Sequence, residues 1–119
     1  MKLMVESPQD FDAWVAQTKS PPASPDSTSL AGQGKTTFLA VGCIACHTVE
    51  GISAGVIGPN LTHVGSRTTI AGGMFENNAD NLSRWIHDPQ GRKPGALMIK
   101  LPMSDAQLAS LVAYLQSLR

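Results

Sequence analysis

Both cysteines of the chain and one of its three histidines lie within five consecutive residues, CIACH. Cys43 and Cys46 are separated by two residues, and His47 follows directly. Thiolate sulfur and imidazole nitrogen are metal ligands, and two neighbouring thiols can also form a disulfide. The residue types and their spacing therefore indicate a redox or metal-linked function.

Four kinds of chemistry fit this cluster. A disulfide between Cys43 and Cys46 would close a very short loop and stabilise the fold little. A thioredoxin-like pair needs a preceding strand and a βαβ unit, whereas a helical segment precedes this cluster. A zinc site needs four ligands, and only His63 and His87 remain to complete it. The C-x-x-C-H pattern is the signature of covalent c-type haem attachment, which we favour.

Haem attachment also has a geometric reason. Two cysteines three positions apart on a helical turn project from the same side, where they can bond two carbons on one edge of a porphyrin. His47 then reaches the iron as an axial ligand. A large apolar ring also supplies core to a small chain with only three Phe, two Trp and one Tyr. We therefore predict one haem c, bound covalently through Cys43 and Cys46.

The sequence leaves several candidates for the second axial ligand of the iron. A His/Met ligand pair raises the potential of haem iron in electron carriers. Met98 is the preferred candidate because it lies in a Gly- and Pro-containing loop ahead of the last predicted helix. Met103 directly precedes the cap of that helix and is the second candidate. The remaining candidates are Met74, His63 and His87.

Three further residues are candidates for holding the haem. A metal-bound histidine normally donates its other ring N–H to a nearby acceptor, and the carbonyl of Pro59 in GPNL can accept it. The haem propionates need donors where they are partly buried. Arg67 and the indole N–H of Trp85 are the candidates for that role.

The sequence shows no strand-like alternation of any length and predicts an all-α domain with long loops. Helices are predicted within residues 7–19, 30–42, 78–89 and 104–119, and Pro89 lies just past the end of the third of them. Residues 20–29 contain three prolines and four serines, which is typical of a linker. The last helix begins with a capping box of Ser104 and Gln107. The predicted core residues are Phe38, Leu39, Val41, Leu108, Leu111, Val112, Leu115 and Leu118.

Charge and hydropathy exclude several classes of protein. The formal net charge is zero, with nine basic and nine acidic residues, so we expect no nucleic-acid partner. No apolar run approaches the roughly 20 residues of a membrane span. The first residues contain acids and no long apolar stretch, so they do not form a secretory signal.

Residues 30–119 together resemble class I cytochromes c. The resemblance rests on a helix with Gly34 and Phe38, then CIACH, GPNL and KPGALM, and a last helix with Tyr114. It implies that the first and last helices of this part cross closely, with Gly34, Phe38, Leu111 and Tyr114 at the crossing. It also implies that Met98 is the axial ligand. Ile99 follows Met98 where the family often has proline, so Met103 stays an alternative.

The segments GPNLTHVGSRTTIAGG, NADNLSRWIHDPQ and KPGALM are similar to the cytochrome c domain fused to subunit II of caa-type haem–copper oxidases. This resemblance implies that Arg67 and Trp85 are propionate donors. Residues 1–19 are similar to the end of the subunit II copper domain, where a copper-ligating methionine lies near the position of Met1. The other copper ligands would lie upstream, so we expect no copper in this chain.

The implied function is electron transfer. Single electrons would pass from a small soluble donor to the dinuclear copper centre of subunit II, and so to subunit I. The isolated domain has no evident catalytic acid or base, so we expect it not to be an enzyme, and we expect it to be monomeric. It would lie in the periplasm or on the outer face of the bacterial cytoplasmic membrane, anchored through an upstream part. The alternatives are a free periplasmic class I cytochrome c and, further, an open-site haem enzyme or gas sensor.

Overall fold

Helices and their connecting loops form most of this computed structural model, which describes residues 3–22 and 24–119. Met1, the position compared above with a copper ligand, lies outside the described residues. The helices are α1 (Pro8–Thr18), α2 (Leu30–Ala40), α3 (Ala79–His87), α4 (Pro89–Arg92) and α5 (Asp105–Ser117). The predicted helical fold class is confirmed. Within the described ranges, no helix has both the length and the apolar character needed to cross a bilayer.

Side-chain caps explain where the helices begin. Ser7 accepts a hydrogen bond from the Asp10 N–H at the start of α1. Ser29 at α2 and Asn78 at α3 cap their helices in the same way. At α5, Ser104 and Gln107 form the predicted capping box, with both reciprocal hydrogen bonds present.

The close crossing of α2 and α5 forms the centre of the fold. A Cβ atom added at Gly34 would lie 1.9 Å from the Ser110 carbonyl oxygen and 2.7 Å from Tyr114 Cβ, so only glycine fits there. The rings of Phe38 and Tyr114 pack with their centroids 5.7 Å apart. The hydroxyls of Thr37 and Ser110 lie 3.3 Å apart at the same crossing. The structure thus confirms the helix crossing that the resemblance implied.

The predicted core is correct in α5 and at Phe38, but Val41, which ends α2 as its C-cap, is only half-buried and is not part of the core. The apolar repeat of α5 is buried, as is Phe38. Leu39 was predicted to be a core residue and this is wrong, because its side chain is 42% exposed. The residues of α2 that face α5 are Gly34, Thr37 and Phe38. Leu39 is rotated about 100° beyond Phe38 on the helix and so points away from α5.

The structure also contains minimal strands, which the sequence did not indicate. Two antiparallel pairs form: β1 (Thr48–Val49) with β2 (Ser53–Ala54), and β3 (Thr69–Ile70) with β4 (Phe75–Glu76). Two-residue strands are too short to produce an alternating pattern in the sequence. The turn between β3 and β4 has positive φ at Ala71 (54°), Gly72 (74°) and Gly73 (91°).

The helix predicted from Asn78, with Pro89 just past its end, corresponds to α3, and a short helix that was not predicted, α4, follows it. α3 ends at His87, and Asp88 then accepts a hydrogen bond from the Gly91 N–H at 3.1 Å, which caps the short helix α4. Pro89 is the first residue of α4, a position where its missing N–H has no cost. The chain therefore turns sharply between α3 and the loop that contains Met98.

α1 is joined to the rest of the chain less closely than the other helices. It buries no side chain, and Phe11 and Trp14 pack on each other with centroids 5.8 Å apart while each stays 53% exposed. α1 and the segment 60–73 line opposite sides of a cleft of about 860 Å³. The two aromatic side chains thus face this cleft without becoming buried.

Gly34→Ala should lower the free energy of unfolding by about 3 kcal/mol or more, because its methyl group would collide with the backbone of α5. Chemical denaturation followed by circular dichroism measures the change. Gln33→Ala, at an exposed position of the same helix, is the matched control and should change the free energy by no more than about 0.5 kcal/mol. Equal effects of the two substitutions would contradict the packing described here.

Candidate functional site

The two cysteines lie on a single 3₁₀ turn directly after α2. Gly42, with φ of 93°, ends α2, and the turn Cys43–Ala45 follows. The amides of Cys46 and His47 both donate to the Cys43 carbonyl, at 3.2 and 3.0 Å. Cys43 and Cys46 are half-buried free thiols on this turn. The α2–α5 crossing therefore determines where the whole CIACH segment lies.

The imidazole of His47 is held in one orientation by Pro59. Its Nδ1 atom lies 2.9 Å from the Pro59 carbonyl oxygen. A carbonyl can only accept, so Nδ1 has the proton and Nε2 keeps the lone pair that binds a metal. Pro59 is the acceptor predicted from the GPNL motif, and the structure brings the two residues together.

Two glycines allow the loop over residues 55–59 to lie against the CIACH segment. A Cβ atom at Gly58 would lie 2.5 Å from His47 Cε1, and one at Gly55 would lie 2.6 Å from the Cys46 carbonyl carbon. The Gly58 amide donates to the Cys46 carbonyl at 2.7 Å. Sequence reasoning did not identify these glycines, because their contacts join residues that are about ten positions apart.

The environment of Cys43 differs from that of a dithiol redox site. Burial raises the pKa of the Cys43 thiol above its usual value. A thioredoxin-like cysteine is activated by a lowered pKa, which makes the thiolate available at neutral pH. The geometry and the pKa direction therefore favour a covalent attachment role over thiol–disulfide exchange.

Arg67 lies next to the loop that supports His47. It follows a 3₁₀ turn, Val64–Ser66, and its guanidinium donates to the carbonyl of Asn60. The side-chain amide of Asn77 donates to the carbonyls of Val64 (2.7 Å) and Arg67 (2.9 Å). These hydrogen bonds fix the backbone of Arg67, while its side chain stays exposed.

Trp85 is half-buried on α3. Its ring packs against Phe75 of β4 with centroids 6.4 Å apart. The Arg92 guanidinium lies over the other ring of this pair, 5.5 Å from the centroid of Phe75. Trp85 thus connects α3 to the β3–β4 hairpin.

Both preferred methionine candidates are half-buried against the core. Met98 lies between two exposed apolar residues, Leu97 (93% exposed) and Ile99 (59%), so only the methionine of these three turns toward the core. Met103 directly precedes the cap Ser104. Met74 and His87 are exposed.

His63 lies on the cleft between α1 and the segment 60–73. Neither of its ring nitrogens is accessible to solvent, and neither has a hydrogen-bond partner among the described residues. Sequence reasoning offered no signal for this environment, because the helix that lines the far side of the cleft is about 50 positions away.

The residues around the CIACH segment fit a covalently bound haem. His47 presents a metal-binding Nε2 atom, and both cysteines lie on the same turn. Half-buried apolar side chains also pack against the core: Ile52, Leu61, Phe75, Trp85, Met98 and Met103. Val56 and Ile57 add exposed apolar surface close to His47 in sequence. The two cysteine sulfurs can attach a haem, the His47 nitrogen can bind its iron, and the apolar surface can cover its ring.

Gly58→Ala should displace the His47 ring or the loop below it, because the added methyl group would overlap the imidazole. We expect a loss of about 1–3 kcal/mol in unfolding free energy and a changed nitrogen NMR spectrum of His47 as the Pro59 hydrogen bond weakens. Val56→Ala, at an exposed position of the same loop, is the control and should leave both readouts nearly unchanged. An unchanged His47 spectrum in Gly58→Ala would contradict the geometry.

Comparison with known proteins places the chain in a family. The family model for cytochrome c matches residues 31–119. The chain is 41% identical over 119 residues to cytochrome c oxidase subunit 2 of Alkalihalophilus pseudofirmus, which covers 99% of this chain and 34% of that protein. It is 33% identical over 124 residues to the Bacillus subtilis protein of the same name, covering 99% of this chain and 34% of that protein.

A third relative, cytochrome c oxidase subunit 2 of Bacillus sp. strain PS3, is 34% identical over 119 residues, covering 94% of this chain and 33% of that protein. The chain thus spans about a third of the length of the curated relatives it matches. The helical fold, the CIACH turn with its oriented histidine, and the match over residues 31–119 agree. The chain belongs to the cytochrome c family.

Proposed function

We propose that this chain is the haem-containing electron-transfer domain of a cytochrome c oxidase subunit II. One observation supports the oxidase assignment over a free carrier. Similarity to the subunit 2 proteins extends over 99% of the chain, whereas the cytochrome c family model begins only at residue 31. The first 30 residues are therefore shared with these oxidase subunits although they lie outside the cytochrome c match.

The proposal divides the chain into three parts. Residues 1–19 would be the end of the copper domain, residues 20–29 a linker, and residues 30–119 the cytochrome c domain. The end of the linker is joined to the domain, because Ser29 caps α2 and a Cβ atom at Gly32 would lie 2.1 Å from the Asp26 carbonyl oxygen. The upstream copper ligands would belong to the longer polypeptide, so this part binds haem alone.

The bound haem would supply reversible one-electron exchange at its iron. Cys43 and Cys46 would hold its edge through thioether bonds, which fix it relative to α2. Pro59 would orient His47 so that Nε2 points to the iron. A ligand that is already oriented by the backbone moves little when the iron changes charge, and this favours fast electron transfer.

Met98 is the better placed second ligand. The backbone at Ser104, next to Met103, is fixed by a hydrogen bond from its N–H to Gln107 Oε1 at 2.9 Å. Met98 lies in the irregular segment that follows Gly95, with no helix to restrict its direction. Its side chain turns to the core while Leu97 and Ile99 point outward.

Arg67 and Trp85 would donate to the haem propionates. Arg67 uses one guanidinium nitrogen on the Asn60 carbonyl, and its remaining N–H groups are available to a carboxylate. The indole N–H of Trp85 has no hydrogen-bond partner in the described part of the chain, and its ring is fixed by Phe75. Both residues would act through hydrogen bonds and not as iron ligands.

The N-terminal segment would pack against the rest of the copper domain. Leu3, Met4 and Val5 are exposed, as are Phe11 and Trp14 of α1, and α1 buries no side chain. In a longer subunit, the preceding copper domain would cover this apolar surface. The domain would then lie outside the cytoplasmic membrane, accept electrons from a small soluble donor and pass them to the copper centre.

Met98→Ala in the haem-loaded protein should remove the sulfur-to-iron charge-transfer absorption of the ferric state. It should also lower the reduction potential by on the order of 0.1 V or more, because methionine ligation raises it. Met103→Ala is the matched control and should keep the absorption band. If instead only Met103→Ala lost the band, the ligand assignment would be wrong.

The route of the electron can be tested in the complete oxidase with its copper centre. After flash reduction of the haem, the copper centre should become reduced at a rate that does not depend on enzyme concentration, because donor and acceptor share one chain. A rate proportional to concentration would indicate a free carrier. Rapid binding of carbon monoxide by the reduced wild-type protein would indicate an open-site haem enzyme or sensor.

A further inference from the structure

We propose that Lys93 is a positioning residue that keeps the Met98 segment, residues 97–103, closed over the iron site. This inference rests on the proposed function, in which Met98 is an iron ligand. Its basis is a contact between two parts of the chain that are 22 residues apart: Lys93 Nζ donates to the Ala71 carbonyl at 3.0 Å. We call this contact, together with the stacking of Arg92 on Phe75, the hairpin clasp.

The hairpin clasp joins the chain just before the Met98 segment to the β3–β4 hairpin at two points. Lys93 holds the turn of the hairpin through Ala71. Arg92, its neighbour in sequence, covers the ring of Phe75 in β4 at 5.5 Å. Phe75 also packs on Trp85 of α3, so the hairpin itself is supported by a regular helix.

The backbone of the β3–β4 turn leaves room for the Lys93 ammonium group. Ala71 has φ of 54°, a conformation that costs free energy for a residue with a Cβ atom. Gly72 follows, and a Cβ atom there would lie 3.2 Å from Lys93 Nζ, so a larger residue would crowd the ammonium group. The Gly73 amide closes the turn on the Ile70 carbonyl at 3.0 Å.

Along the chain, the backbone hydrogen bonds of Lys93 are the last ones before Met98. Its amide donates to the carbonyl of the buried Pro89 at 2.9 Å, and its carbonyl accepts from Ala96 at 3.0 Å. Residues 97–103 make no hydrogen bond to any part of the chain that the structure describes. The next polar attachment is the cap at Ser104.

The Met98 segment is therefore a span held at its two ends, and Lys93 fixes the end closer to the methionine. Opening at that end would move Met98 away from the core and give external ligands access to the iron. Lys93 would prevent this with a charge-assisted hydrogen bond, which is stronger than one between neutral groups. Its effect on the electron-transfer site is indirect, through the backbone.

The test uses the haem-loaded protein and saturating cyanide, where ferric iron binds cyanide only as fast as the Met98 segment opens. Lys93→Met keeps the apolar stem but removes the donor. It should bind cyanide about tenfold faster, as loss of one charge-assisted hydrogen bond predicts. Lys93→Arg keeps a donor and should stay within about threefold of wild type.

Lys100→Met is the matched control. Lys100 lies in the same segment, is exposed, and has no hydrogen bond within the described ranges, so its replacement should leave the rate unchanged. A rate for Lys93→Met equal to that of wild type would overturn the inference. A wild-type protein without the sulfur-to-iron band would instead contradict the assignment of Met98, and the inference with it.

A second measurement needs no variant and so does not depend on the folding of Lys93→Met. In the wild-type protein, the hairpin clasp predicts that the amides of Gly73 and Ala96 become accessible to deuterium exchange in the same opening event. Their protection factors should agree within about threefold. Protection factors that differ by a hundredfold would show that the two segments open separately and would overturn the inference.

Discussion

The close approach of α2 and α5 at Gly34 is the contact on which the remaining structure depends. α2 leads directly into the CIACH turn, so the crossing determines where the two thiols and His47 lie. The C-terminal end of α5 supports a second region: the Gly65 amide donates to the Leu118 carbonyl at 2.7 Å, and a Cβ atom there would lie 2.4 Å from the Gln116 carbonyl oxygen. One pair of helices thus positions both the histidine and the turn before Arg67.

The candidate haem site is built mainly from loops, and single hydrogen bonds between distant residues hold these loops in place. Pro59 orients His47. Asn77 donates a hydrogen bond to the backbone of Arg67. Lys93, just before the Met98 segment, donates one to the turn of the β3–β4 hairpin. Glycines at 55 and 58 let the loops approach the cysteine turn closely enough to act as its rigid support.

Family and function rest on different observations. Membership of the cytochrome c family follows from the match over residues 31–119. The proposed place in an oxidase subunit follows from the first 30 residues, whose similarity to subunit 2 proteins accompanies an exposed apolar surface on α1. An electron-transfer domain joined to its acceptor has no need of a charged docking surface to find it, which is consistent with a formal net charge of zero.

The sequence by itself predicted the helical class, the starts of every helix except α4 and a haem-attachment pattern at CIACH, because caps, apolar repeats and ligand spacing are local patterns. It also identified the core of α5, since an apolar repeat at helical spacing places its residues on one side of the helix, and that side is buried. Only the tertiary structure showed that Leu39 points outward, that short strands flank the turn at Ala71, that Gly58 lies against His47, and that Lys93 contacts the β3–β4 turn. These features depend on contacts between residues far apart in the chain, and no local periodicity or motif encodes which of them meet.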